Sequence, residues 1–156
     1  MSIEAEVAAL KKVPMLKGVD AAKLKLLAFI SERMVFRSGE ALCRQGETGD
    51  RAFIILEGKA DVVVNTPDGE KTVATVGKND IVGEIAIICD VPRTASVLAS
   101  DEVHALTVSK DHFFKLMREF PDIALEIMRV LAARLERTTR DLADVQGQLD
   151  RAVQPA

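Results

Sequence analysis

The chain has few of the residues from which metal and redox sites are made: 156 residues include two cysteines, Cys43 and Cys89, and two histidines, His104 and His112. The cysteines stand far apart with no second ligand beside either, which suits reduced thiols buried as small hydrophobes better than a disulfide or a metal site. The histidines fall on a predicted strand and a predicted helix. They assemble neither a Ser-His-Asp or Cys-His set nor the clustered His and carboxylate ligands of cupin-type metal chemistry, so no enzyme activity and no metal is expected. A haem-based sensor would need Cys43, Cys89 or His104 as an axial ligand, and the visible spectrum would reveal it.

A cationic excess is missing too. Lys and Arg total 21 against 24 Asp and Glu, so there is no general attraction for nucleic acid or an anionic membrane. No apolar run approaches the ~20 residues that span a bilayer, and no early stretch joins a basic start, an apolar segment and a small-residue cleavage site. A cytoplasmic location is expected.

Glycine is absent from Glu84 through Gln146, whereas Gly39, Gly46, Gly49, Gly58, Gly69, Gly77 and Gly83 punctuate the middle of the chain. Between those glycines lie short β-branched runs, "AFIILEGKADVVVN" and "KTVATVG", with a turn at "TPDG". This is the pattern of an antiparallel sandwich or barrel, with "HALTV" as its last strand. On either side the apolar spacing is helical. "AEVAALKKV" and "AAKLKLLAFISERM" precede the strands, and Ser109 caps a helix over "KDHFFKLMREF" that halts before Pro121.

From Pro121 to about Asp150 only Gly147 interrupts a helix of roughly 45 Å, longer than a small domain is wide. Leu131, Leu135, Thr138, Leu142, Val145 and Leu149 follow at alternating steps of four and three, the seam of a two-stranded coiled coil. A homodimer through this helix is expected, the alternative being a helix lying on its own barrel. The chain divides into an N-terminal helical segment (1–33), a β-roll (34–109) and C-terminal helices with the dimerisation segment (110–156).

One stretch, "GEIAIICDVPRTASV" from Gly83 to Val97, places Arg93 in a run that otherwise reads as core. An unpaired buried charge costs several kcal/mol, so an anion belongs beside it. That anion is either Asp90 or a ligand. A planar guanidinium can bond two oxygens of a phosphate at once, Gly83 permits close backbone approach, and a short helix opening there would aim N–H groups at the same phosphate. Glu84 would repel a phosphate but can accept from a ribose hydroxyl one ring away.

This stretch resembles the phosphate-binding cassette of the cyclic nucleotide-binding family, where Gly, Glu, a small apolar run, Pro-Arg and Ser/Thr/Ala-Ala occur in this order. The resemblance extends through "RSGEALCRQGETGDRAFIILEGKADV" and covers nearly the whole chain. It implies an α+β fold, an eight-stranded antiparallel β-roll (jelly-roll-like) flanked by N-terminal helices and a long C-terminal helix. It also implies a ligand, cAMP or cGMP, and no resident cofactor. Glu84 would take the ribose 2′-hydroxyl and Arg93 the exocyclic phosphate oxygens. The backbones of Gly83, Ala86 and Thr94 would donate to the same phosphate, with Ile85 and Ala95 completing the cassette. Val82 departs from the pattern, since an aromatic is common there.

The Thr94 hydroxyl resembles that of members that accept cGMP through a syn guanine. "PDIALEIMRVLAARLERTTRDL" resembles the C-helix of the bacterial catabolite activators, with Arg134, Thr138 and Thr139 at the separations of their base-facing Arg, Thr and Ser, which favours cAMP. For Thr138 and Thr139 the alternatives are a bond to the backbone one turn earlier and plain exposure. Arg134 could instead pair with Glu136 or Asp141 of a partner helix. Those activators continue into a helix-turn-helix where this chain reads "DRAVQPA", so the expectation is a sensor without a DNA-binding module, acting on an unknown downstream protein.

Overall fold

The computed structural model describes residues 2–154. Helix α1 (Ile3–Lys11) starts at Ser2, whose side chain accepts from Ala5 N, and α2 (Ala21–Ile30) starts at Asp20, which accepts from Lys23 N. Both caps satisfy amide donors that a first helical turn leaves unpaired. A single 3₁₀ turn, Pro14–Leu16, joins the two helices.

Eight strands follow: β1 (Glu32–Phe36), β2 (Ala41–Cys43), β3 (Arg51–Glu57), β4 (Ala60–Thr66), β5 (Gly69–Val76), β6 (Ile81–Val82), β7 (Ser96–Ala99) and β8 (Val103–Ser109). They form two antiparallel sheets of four, in the orders β1-β8-β3-β6 and β2-β7-β4-β5. The expected turn at "TPDG" is a tight hairpin. Thr66 pairs with Gly69 across it, and Gly69 takes φ +102°, a conformation open to glycine.

Strand β3 explains why its sequence is apolar almost without alternation. Ala52, Ile54 and Leu56 join the cluster under the helices, with Leu10, Leu16, Leu24, Leu106, Phe113 and Ile123. Phe53 and Ile55 join the cluster inside the roll, with Phe36, Val82, Val97 and Val103. A strand buried on both faces must be apolar on both.

Helix α3 (Glu84–Ile88) follows β6, and α4 (Lys110–Glu119) begins at Ser109, whose hydroxyl accepts from His112 N as expected. Helix α5 (Pro121–Val153) has Pro at its first position, where the missing N–H costs nothing. Its 33 residues extend about 50 Å. Only Ile123 and Ile127 of this helix are buried, with Val130 and Leu131 packed partly buried against the same core cluster. Leu135, Leu142, Val145, Leu149 and Val153 are all more than half exposed, between 54% and 72%.

Cys43 is buried, but Cys89 caps the exposed end of α3 and is not the buried hydrophobe expected. That short helix presents its other side inward, burying Glu84, Ala86 and Ile87. No described helix is long and apolar enough to cross a membrane.

Candidate functional site

Strand β6 is followed by Gly83, which takes φ +83° and caps α3. A β-carbon there would lie 2.6 Å from Arg93 Nη1 and 3.0 Å from the Arg51 carbonyl, so both conformation and space require glycine. Gly49, in the loop before β3, is excluded from larger side chains by the same arginine. A β-carbon on it would stand 2.4 Å from Ala86 Cβ and 3.2 Å from Arg93 Cζ.

Arg93 is 6% exposed. Its backbone is pinned to the β2–β3 loop, its N donating to Glu47 O at 2.8 Å and its carbonyl accepting from Gly46 N at 2.9 Å. Its Nη1 donates to Gly83 O at 2.9 Å and its Nη2 to Arg51 O at 2.8 Å. Both acceptors are neutral carbonyls. No carboxylate among the described residues pairs with this guanidinium, and Asp90 lies instead 3.5 Å from Lys110 Nζ. The core-embedded arginine is therefore oriented by carbonyl dipoles.

Glu84 is 1% exposed, and Arg134 of α5 meets it, Nη1 donating to Oε1 at 2.9 Å. Arg134 Nη2 also donates to the Ile81 carbonyl, and Asp80 stands 4.0 Å away. Burial pushes the Glu84 carboxyl above its ordinary range, against the opposing pull of Arg134 and, more weakly, Arg93. The same burial raises the Cys43 thiol, at the wall of the site, despite Arg93.

These groups surround one cavity of about 390 Å³, within the size range of small-molecule sites. Gly83, Glu84, Ile85, Ala86, Arg93, Thr94, Ala95, Arg134 and Thr138 all line it. Thr139 does not, and its exposed hydroxyl donates to Leu135 O at 2.9 Å. The opposite wall is apolar, made by Val62, Val73, Ala74, Val76 and Val97. One corner thus brings together a buried arginine bonded to carbonyls, the N-terminus of α3 and a buried carboxylate. The rest suits a flat apolar body. Arg137, not singled out in the sequence, and Asp141, named there only as a pairing partner for Arg134 from a second helix, also line the cavity. Their spacing from Arg134, one and two turns on, was the available signal, since such residues share a helical face.

Residues 33–120, which take in the strands from Arg33 of β1 through β8 and the cassette from Gly83 to Val97, match the cyclic nucleotide-binding domain. The chain belongs to the cyclic nucleotide-binding domain family. Within this family it is 33% identical over 137 residues to a CRP-like cAMP-activated global transcriptional regulator of Mycobacterium tuberculosis, a match covering 87% of this chain and 61% of that protein. Among solved structures, a cAMP-binding acyltransferase from Mycobacterium smegmatis superimposes with a TM-score of 0.78 at 27% identity, covering 86% of this chain and 42% of that one. The regulatory subunit of a cAMP-independent protein kinase A from Trypanosoma brucei gives 0.68 at 32% identity, covering 94% of this chain and 51% of that one. The chain spans about three fifths of the mycobacterial regulator, about two fifths of the acyltransferase and about half of the kinase regulatory subunit. Family membership makes it a cyclic nucleotide-binding regulatory domain, and no helix-turn-helix occurs among the described residues.

Proposed function

We propose that the chain is a sensor that binds a 3′,5′-cyclic nucleotide, cAMP in preference to cGMP, in the cavity at Gly83–Ala95, and passes the event on through α5. The observation that carries this reading is Arg93, buried and held by two carbonyls with no carboxylate paired to it among the described residues. A cyclic phosphodiester, whose single negative charge persists at any pH near neutrality, is the anion such a site accommodates. A fixed guanidinium bonds two of its oxygens.

Glu84 accepts from the ribose 2′-hydroxyl in this reading. Its carboxylate is at present engaged by Arg134, so the ribose either shares Glu84 with Arg134 or displaces it. Either outcome ties nucleotide docking to the position of α5. Thr138 faces the base, and Thr94 supplies a hydroxyl that a syn guanine could also use. Thr139, outside its own cavity, contributes only if a second copy brings it to the partner's site.

The exposed stripe Leu135, Leu142, Val145, Leu149 and Val153 is the homodimer seam. A ligand shifts α5 only to the extent that it binds one of its arrangements better than the other. The relatives' names favour cAMP in two cases and oppose it in one, which leaves the choice of nucleotide to experiment.

Calorimetric titration with cAMP and cGMP, with light scattering on the same sample, tests the reading. Wild type is expected to bind, and Arg93→Ala to lose affinity by on the order of a hundredfold through removal of the fixed cation. Equal affinities for the two proteins, or none for wild type, would refute it.

A further inference from the structure

We propose that Gln45, in the loop between β2 and β3, is a positioning residue that sets the width of the base slot by fixing the β4–β5 hairpin against the cassette. The proposal rests on the cyclic-nucleotide reading above, in which the base lies against the apolar wall of Val62, Val73, Ala74 and Val76.

That wall belongs to β4 and β5, and its outer part has little to hold it. Strand β7 supports β4 from the Ala60–Ala99 pair as far as Val63–Ser96 and stops there. The residues before Ser96, Thr94 and Ala95, line the cavity instead of extending the strand. From Val64 to the tip, β4 keeps only β5 as a strand partner, and a two-stranded ribbon by itself is marginal in water. The ladder is also interrupted where this outer part begins. Val62 pairs with Ala74 and Val63 with Thr72, which leaves Val73 as the extra residue of a bulge. A bulge bends its strand and re-aims a side chain. Val73 and Ala74 accordingly both line the cavity, although strict alternation would send neighbours to opposite faces.

Gln45 spans the gap that β7 leaves. Its Oε1 accepts from Asn65 N at 2.7 Å, two residues beyond the last β4–β7 pair. Its own N donates to Ser96 Oγ at 2.9 Å, and the next residue, Gly46, donates to the Arg93 carbonyl at 2.9 Å. The loop is closed on itself by Arg44 N donating to Glu47 Oε1 at 3.0 Å, so Gln45 is presented from a fixed turn. One amide side chain thus stands in for a strand and ties the outer hairpin to the same short segment that carries Arg93. Without that bond the hairpin bends at Val73, and the wall moves off the base while the phosphate corner keeps its geometry.

The test titrates wild type, Gln45→Met, Gln45→Glu, Val73→Ala and the Gln45→Met/Val73→Ala double variant with cAMP and cGMP, and follows exchange of the Asn65 amide by NMR. Salt at about 0.15 M screens the charge that Gln45→Glu adds. Methionine keeps the length of glutamine without its oxygen. In Gln45→Met the Asn65 amide should exchange faster and affinity for the preferred nucleotide should fall about fivefold, the worth of one hydrogen bond. Gln45→Glu keeps an acceptor and should restore slow exchange and bring affinity within about twofold of wild type. In the Val73→Ala background, where the wall residue is already gone, Gln45→Met should cost a further factor of about two or less. Unchanged exchange or affinity in Gln45→Met, a loss that Gln45→Glu does not restore, or an equal loss in both backgrounds would overturn the assignment. Wild type binding neither nucleotide would instead refute the cyclic-nucleotide reading, and this proposal with it.

Discussion

Arg134 and Glu84, 50 positions apart in the chain, meet at 2.9 Å and join the free end of the roll's site to the long helix. The carboxylate is almost fully buried and the guanidinium about one quarter exposed. Removing the arginine leaves a desolvated charge without its main partner, a loss larger than the worth of the pair itself. Because Arg134 keeps partial access to water, Arg134→Ala is expected to cost about 2 kcal/mol rather than the full penalty of a dry pair. Urea unfolding measures it, and Glu84→Gln combined with Arg134→Ala should recover part of the loss.

The pH dependence has a definite sign. The folded-state pKa of Glu84 is raised above its ordinary 4.5, chiefly by burial. The folded protein therefore binds more protons than the unfolded chain between those two values. The contribution of Glu84 to stability is full below 4.5 and is lost as pH rises through the higher folded value. Subtracting the Glu84→Gln stability profile from that of wild type should leave a difference that falls over this window, and a difference that rises would contradict the buried, desolvated carboxylate.

Gly49 is a packing requirement of the site rather than a flexible hinge. Gly49→Ala presses a methyl into Ala86 and the Arg93 guanidinium, and overpacking of this kind costs about 1–3 kcal/mol. Nucleotide affinity should fall with it, since Arg93 must move. Gly18→Ala, which meets nothing within 4 Å, serves as the control and should change stability by less than about 0.5 kcal/mol.

Asn79 takes φ +74° and its Oδ1 accepts from Met15 N at 2.6 Å, tying the 3₁₀ turn to the loop before β6. Asn79→Gly loses the hydrogen bond but keeps the conformation easily, whereas Asn79→Ala loses the bond and strains the backbone. The alanine variant should therefore be the less stable of the two, by about 1 kcal/mol, in thermal unfolding. The reverse order would mean the loop has rearranged.

Leu142→Glu is expected to give a species at the 17.0 kDa chain mass in light scattering where wild type gives twice that value. Since Leu142 is 65% exposed, the roll's own unfolding midpoint should not move. A wild-type monomer at tens of micromolar would remove the dimer from the proposed mechanism.

Local chemistry made much of this molecule legible in its amino-acid order. Glycine spacing with β-branched runs marked the roll, Ser109 and Pro121 marked helix starts, and the stretch from Gly83 to Val97 announced an arginine in need of an anion, because caps, turns and periodicity act over a few residues. What holds that arginine was not legible. Whether Asp90, a carbonyl or a ligand faced Arg93 depended on which segments close around it, and the answer came from Arg51 on β3 and Gly83 just after β6. The same holds for Arg134, whose choice of Glu84 over an acid on a partner helix required α5 to cross the open end of the roll. Contacts between residues tens of positions apart are set by how buried surfaces stack, and only the folded chain decides them.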